Sequence, residues 1–311
     1  MDLQEGDEMA TKRSGTIQID LDGLWTNLNY YGHSSSIFPD PTFETSIPRF
    51  LDLFDKYGIK ATFFLIGRDG EVSEKAALIK DLVKSGHEIA NHTYSHVFGW
   101  RELSVAEKLK EIEKGEKVIE RITGKKPVGF KAPGYDVDVE TMKLLERKGY
   151  SYDSSIIATP FYPLIMKINQ LVSGGVKRTH GPKWIWGIAP NSVYYPSFNK
   201  EWKKSKRTNG LIELPCSVMP GLRTPYHATF ATKFGNGYFQ LGHGLTKLMG
   251  NSLNYELHAA DLADNVRDTR MPHLDEVSIE KRYGVVKNIL KTISKDYEVI
   301  TSRDFVARMK Q

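Results

Sequence analysis

The chain reads as an α/β protein built on a parallel sheet, open or closed into a barrel, with long insertions at one end. Three observations predict this. Short apolar runs alternate with amphipathic segments along most of the 311 residues, a repeated β-α rhythm. One run, "KATFFLIG", is apolar throughout, as expected of a strand covered on both faces. Ionisable residues also recur where successive strands should end, and in a β/α barrel those ends share one face.

Residues 1–14 are polar and read as a flexible tail. "TIQIDLDG" follows as a short strand ending in carboxylates. In "SIPRFLDLFDKYG", Ile47, Phe50, Leu51 and Phe54 recur at helical spacing and Gly58 is a natural stop. After the "KATFFLIG" strand, "SEKAALIKDLVKSG" is a helix closed by Gly86, and "HEIANH" is the third strand. "LSVAEKLKEIEKGEKVIERITG" is a helix with a capping-box pattern at Ser104 and Glu107 and with Gly124 past its end. "VGFKAPG" is a strand, "DVETMKLLERKG" a helix and "YSYDSS" a strand.

From about residue 156 to 250 the rhythm breaks into a Gly-, Pro- and aromatic-rich insertion, within which only "GLIELP" reads as a strand. The pattern then resumes with the strand "SLNYELHA", a helix near "SIEKRYGVVKNILKTISKD", the strand "YEVIT" and a closing helix in which Ser302 suits the N-cap. Residues 15–311 are therefore expected to form a single domain.

Composition narrows the function. Hydrophobic residues at 40% and charged residues at 26% describe a globular chain long enough to bury a full core. A balance of 43 basic against 38 acidic residues, +5 net, is too mild to argue for nucleic acid. The single cysteine, Cys216, excludes an internal disulfide and a multi-cysteine zinc site, and beside "LIELP" it reads as a buried structural thiol. The opening residues lack the basic start and apolar stretch of a secretory signal, and no apolar run is long enough to cross a membrane. The expected location is cytoplasmic, and nothing indicates an oligomeric state.

The strand ends offer Asp20 and Asp22, then His92 and His96, Lys131, Asp153, Glu213 and His258. In "HTYSH" the two histidines stand four apart and can reach one ion from a tight loop. Such a pair is ordinarily solvated or structural, and an Asp-x-Asp is ordinarily a turn or cap, so neither suffices alone. "HEIANH" also misses the zinc-protease spacing by one residue, and "NHT" is a glycosylation sequon in letters only. In company they suit a catalytic metal site, which takes three protein ligands and leaves a position for water. Asp22 can be the third ligand. Asp20, on the same face of the strand, can take a proton from water, with Lys131 keeping it ionised and His258 as acid.

"TIQIDLDG", "ATFFLIG", "GHEIANHTYSH", "GFKAPGY", "YDSS" and "ELHAAD", in this order, resemble the polysaccharide deacetylase (NodB-homology, carbohydrate esterase 4) family. The resemblance covers residues 15 to 155, then "LIELP" and the strand to His258. It implies a distorted β/α barrel of about seven strands. It implies Asp20 as general base, Asp22, His92 and His96 as metal ligands, and Lys131 as the residue that orients the base. His258 becomes the general acid, and the N–H of Gly134, with Tyr135 beside it, the oxyanion and substrate position. The metal implied is a single divalent ion, zinc first, with cobalt or nickel as the other candidates. Three departures stand out. Leu21 separates aspartates that are usually adjacent. Lys131 replaces an arginine, keeping charge but losing the bidentate fork. The family's Asp-Trp element is missing, which leaves Asp153 and Asp261 as candidates to support His258.

The reaction implied is hydrolysis of an N-acyl group, N-acetyl foremost, on an amino sugar or glycan. A cytoplasmic location favours a lipid-linked sugar. "PFYPLIMKINQLV" and the basic "KEWKKSKR" would suit peripheral contact with the inner face of a membrane, and Trp184, Trp186, Tyr194 and Tyr195 could stack on sugar rings or fill the core. The rival readings are a deformylase of a lipid-linked amino sugar, a hydrolase of a small cyclic amide on the same fold, and a carbohydrate-binding protein without activity.

Overall fold

Alternation of side chains along the strands decides what faces the centre of this fold. The computed structural model describes residues 12–30, 32–34, 36–173, 181–264 and 277–310. Strand β1 (Arg13–Leu21) runs through the middle. Its Ile17, Ile19 and Leu21 enter the main apolar core, whereas Thr16, Gln18 and Asp20 point the other way and are also buried. That second face is the inside of a curled sheet.

Strands β2 (Thr62–Leu65), β3 (Glu88–Asn91), β4 (Gly129–Phe130), β5 (Tyr152–Asp153) and, beyond the hairpin β6 (Pro196–Ser197) and β7 (Lys200–Lys204), β8 (Ile212–Glu213) follow in order, each parallel to its neighbour. Strand β9 (Leu253–His258) lies parallel on the opposite edge of β1, and β10 (Tyr297–Val299) pairs with the first residues of β1. The distorted barrel is thus observed.

The curl brings β8 round towards β9. The Ser217 N–H donates to the Asn254 carbonyl at 3.0 Å, and the Asn254 side-chain amide donates to Leu214 and Pro215 carbonyls at 3.0 and 3.2 Å. A single asparagine thereby meets backbone groups that the sheet leaves unpaired at its seam.

The helices are α1 (Leu24–Tyr30), α2 (Pro41–Glu44), α3 (Ser46–Tyr57), α4 (Ser73–Lys84), α5 (Val105–Thr123), α6 (Val139–Arg147), α7 (Tyr162–Ser173), α8 (Ala228–Phe234), α9 (Asn236–Leu248), α10 (Ile279–Asp296) and α11 (Ser302–Met309). The capping box of Ser104 and Glu107 starts α5, and Gly124 ends it in the left-handed region at φ 74°. In α3 the buried face is Ile47, Phe50, Leu53 and Phe54, with Leu51 only partly covered.

The structure corrects four expectations. Arg13 and Ser14 belong to β1 rather than to a tail, because they pair with Tyr297 and Glu298; residues 1–11 lie outside the described residues. The N-cap of α11 is Thr301, whose side chain accepts from the Asp304 N–H, while Ser302 sits one place inside the helix and its N–H is taken by Thr62 Oγ1 at 2.8 Å. The insertion also holds three helices, α7, α8 and α9, that its Gly- and Pro-rich composition masked. "KEWKKSKR" is largely a hairpin strand in which Trp202 is flanked by the ammonium groups of Lys200 and Lys203. Among the described residues no helix is long and apolar enough to cross a membrane.

Candidate active site

A cavity of about 520 Å³ opens at the carboxyl ends of the strands, and Asp20, Asp22, His92, His96, Lys131, Gly134, Tyr135, His258 and Asp261 all line it. The strands bring them there by register: Asp20 lies opposite His258 on β9 and Phe64 on β2.

Asp22, just past β1, faces both histidines of the loop after β3. Its Oδ1 lies 3.5 Å from His92 Nε2 and 3.7 Å from His96 Nε2. Burial raises the Asp22 carboxyl, but His96 and His92 outweigh that and hold it well below the usual carboxylate range. The His92 Nδ1–H donates to the Lys131 carbonyl at 2.8 Å, which fixes the tautomer and leaves the Nε2 lone pair towards Asp22.

The loop carrying the histidines is bent hard. Thr93 and His96 adopt positive φ, 67° and 51°, a region costly for side chains with a Cβ. Two groups hold it. Asn91 Oδ1 accepts the Thr93 N–H at 2.9 Å, while the Asn91 amide donates to the Ile112 carbonyl and Tyr150 hydroxyl. Glu111 on α5 accepts the N–H groups of Tyr94 and Ser95 at 3.2 and 2.8 Å and the Ser95 hydroxyl at 2.9 Å. Neither Asn91 nor Glu111 was legible as a support, because the bonds depend on how α5 packs on β3.

These donors fit a metal ion. Buried Asp22 Oδ1 makes no hydrogen bond. Bonds of about 2.0–2.1 Å in tetrahedral geometry set neighbouring ligand atoms about 3.4 Å apart, close to the two separations observed.

Beside this triplet sits a second group. Lys131 Nζ donates to Asp20 Oδ1 at 2.7 Å and to Glu256 Oε2 at 3.1 Å, and it lies 4.5 Å from the centre of the Phe64 ring. Glu256 accepts the Tyr135 hydroxyl and lies 3.7 Å from His258 Nε2. Burial raises Asp20, opposed by Lys131 and reinforced by the like charge of Glu256, so its pKa stands above the ordinary value. Burial would lower His258, but Glu256 and Asp20 outweigh it and raise it. Burial raises Glu256 too, yet Lys131 and His258 overcome it and bring it down to about 2.

Glu256 is a further site residue absent from the sequence reading. Its signal was the alternation in "LNYELH", which puts Asn254, Glu256 and His258 on one face. It lies beside His258, the residue that Asp153 and Asp261 were candidates to support. Asp153 is turned away, accepting the Ser155 hydroxyl at 2.6 Å beside Glu213, whose Oε1 accepts the Ile156 N–H; burial raises both carboxyls. Asp261 does reach the site, accepting the His258 N–H at 2.8 Å. Tyr135, expected to face substrate, spends its hydroxyl on Glu256.

The aromatic platform is not assembled either. Trp186 and Tyr194 are core residues, and neither they nor Trp184 and Tyr195 line the cavity. The apolar wall comes instead from "PFYPLIMKINQLV", whose Tyr162, Ile165 and Met166 on α7 face the cavity with Phe98 and Phe230.

Fold and site together define a class: a curled β/α barrel with an Asp-His-His donor triplet beside a Lys-centred acid–base group. Residues 35–152 match the family described as Polysaccharide deacetylase. A peptidoglycan deacetylase of Helicobacter pylori is 33% identical over 160 residues, 48% of this chain and 52% of that protein. A peptidoglycan-N-acetylglucosamine deacetylase of Bacillus cereus is 38% identical over 113 residues, 36% of this chain and 49% of that protein. The chain thus spans about half the length of these relatives. Among solved structures, one from Mycobacterium smegmatis described as a polysaccharide deacetylase aligns over 100% of this chain and 93% of its own, at TM-score 0.61 and 15% identity. Puue allantoinase aligns over 96% and 90%, at 0.61 and 13%; at such identities the likeness speaks for the fold alone. The likeness to the polysaccharide deacetylase family thus lies in residues 35–152, and the fold as a whole is shared with the solved structures.

Proposed function

We propose that this protein hydrolyses an N-acyl group, acetyl foremost, from an amino sugar, with one divalent ion, zinc first, held by Asp22, His92 and His96. The observation that carries the reading is the juxtaposition of that triplet with Asp20, Lys131 and His258 in one cavity. A divalent ion bound there supplies Lewis acidity towards water and the substrate carbonyl.

The protein's own groups handle the protons. Asp20, with a pKa raised towards the working range, takes a proton from the attacking water. Lys131 fixes the orientation of that carboxylate. His258, its proton favoured by Glu256 and Asp20, gives it to the departing nitrogen as the carbon–nitrogen bond breaks, leaving an amine and a carboxylate. The Gly134 backbone, on the same wall at φ 58°, is assigned the oxyanion.

The relatives named as peptidoglycan deacetylases favour an N-acetylglucosamine-containing glycan. The apolar α7 wall, together with exposed Phe161, Leu164 and Ile168 on the same helix or at its start, suits a substrate carrying an apolar group, as a lipid-linked amino sugar does.

The test is metal content by elemental analysis on the wild type and on Asp22→Ala, His92→Ala and His96→Ala, beside acetate release from N-acetylglucosamine oligomers. One ion per chain, lost in all three variants together with acetate release, is the expected result. Metal without acetate release would move the substrate to formyl or cyclic amides. No metal in folded protein after incubation with zinc, cobalt or nickel would sink the proposal.

A further inference from the structure

Among the described residues, His227 is the one cavity-lining histidine that the reaction above leaves without a task. It sits at the head of α8, 4% exposed, and neither ring nitrogen has a hydrogen-bond partner. Buried polar groups are nearly always paired, so two unmet nitrogens on one side chain point to a partner that arrives with the substrate. The ring lies 6.0 Å from the His258 ring and 4.8 Å from that of Phe230. It is therefore next to His258, the group assigned to protonate the departing nitrogen.

The surroundings dictate its charge. Burial, with His258 and Lys131 nearby, outweighs the pull of Glu256 and lowers its pKa to about 4. Near neutral pH the ring is uncharged, with one nitrogen donating and the other accepting. Such a ring is a poor proton donor for the reaction and a poor partner for a phosphate or carboxylate. It suits a hydroxyl, which also donates and accepts.

We infer that His227 is a specificity-determining residue that binds a hydroxyl of the sugar ring carrying the acylated nitrogen. The inference rests on the N-deacylase reading and narrows it: the favoured substrate is a hydroxylated amino sugar rather than a simple amide of the same size. Phe230, also on the cavity wall, packs against the ring in a T-shaped contact and limits its freedom to turn.

The experiment compares the wild type with His227→Phe, which keeps an aromatic ring of similar shape but removes both nitrogens, and with His227→Asn, which keeps a donor and an acceptor. Two substrates are used: the N-acetylglucosamine tetramer, and N-cyclohexylacetamide, an acetamide on a six-membered ring without hydroxyls. A thermal melt checks folding of each variant.

The expected result is a fall of about tenfold to a hundredfold in kcat/KM for the tetramer in His227→Phe, carried mainly by KM, with partial recovery in His227→Asn. The slow hydrolysis of N-cyclohexylacetamide should stay within about twofold, and the pH profile of kcat should not move. Equal losses on both substrates, or a shifted kcat profile, would overturn the inference and make His227 a partner of His258. Tetramer turnover unchanged in His227→Phe would overturn it while leaving the deacylase reading intact. A wild type that releases no acetate from the tetramer would remove both.

Discussion

Replacing Lys131 by methionine tests the acid–base half of the site most directly. The ammonium is 1% exposed and is the bonded cation of two buried carboxylates, Asp20 at 2.7 Å and Glu256 at 3.1 Å. Methionine fills much the same volume, so packing changes little and the perturbation is chiefly electrostatic. Removing one partner of a buried ionic group costs about 3–5 kcal/mol, because the remaining charge stays desolvated. The protein can reduce that cost by taking up a proton. Glu256 keeps the Tyr135 hydroxyl and His258 as partners, so the proton goes to Asp20. A protonated Asp20 is no base, and general-base loss costs about 10²–10⁴ in rate. Urea denaturation at pH 7 should therefore show Lys131→Met destabilised by about 3–5 kcal/mol, and acetate release by the folded fraction should drop by at least about a hundredfold. Adding Asp20→Asn removes the carboxylate that lost its partner. The double variant should regain part of the stability and none of the activity. Lys131→Met within about 1 kcal/mol of the wild type, or an Asp20→Asn cost that simply adds, would refute this account of the triad.

Two further outcomes are expected. Gly115→Ala would drive a Cβ into Asn91 Oδ1, the group that holds the Thr93 N–H; stability should fall by about 1–3 kcal/mol and zinc affinity should weaken, measured by denaturation and competitive chelator titration. Unchanged zinc affinity would show that Asn91 does not hold the histidine loop. His87 is buried between Phe54 and Phe63, accepts the Ala61 N–H at Nδ1, and has its pKa lowered by burial to about 4. Its neutral form is favoured by folding, so its contribution is whole above about pH 6.5 and is lost as pH falls towards 4, about 3 kcal/mol in all. Urea midpoints across that range should fall more steeply for the wild type than for His87→Asn, and parallel curves would refute the assignment.

The residues read correctly into the cavity share one property: each lies at or just past the end of a strand with a strong local signature. Asp20 follows the alternation of "TIQID", His92 follows "HEIAN", and His258 ends "LNYEL". Strand-end position alone was not enough. Asp153 and Glu213 end strands too, yet they turn to each other and to neighbouring backbone. What separates the cases is inter-strand packing, which no local pattern encodes. Asn91, Glu111 and His227 were illegible for the same reason, since each acquires its role from a segment far away in sequence. Glu256 differs. Its face is fixed by alternation, but its partners Lys131 and Tyr135 lie 125 and 121 residues away in sequence.

The placement of charge also explains why a metal ion would go to one of two adjacent clusters. Asp22, His92 and His96 form one group of close donor atoms, and Asp20, Glu256 and His258 another. The second already has its cation: Lys131 Nζ bonds two of its three members, and an ion there would face an ammonium. In the first, the carboxylate is held well below its usual pKa by the imidazoles and Asp22 Oδ1 makes no hydrogen bond. The Lys131 ammonium is what separates them. Its point charge bridges Asp20 and Glu256 without a planar fork committed to one carboxylate, so both buried carboxylates depend on a single ammonium. On the proposed reading, proton transfer falls to the cluster that holds the ammonium and ion binding to the one without it.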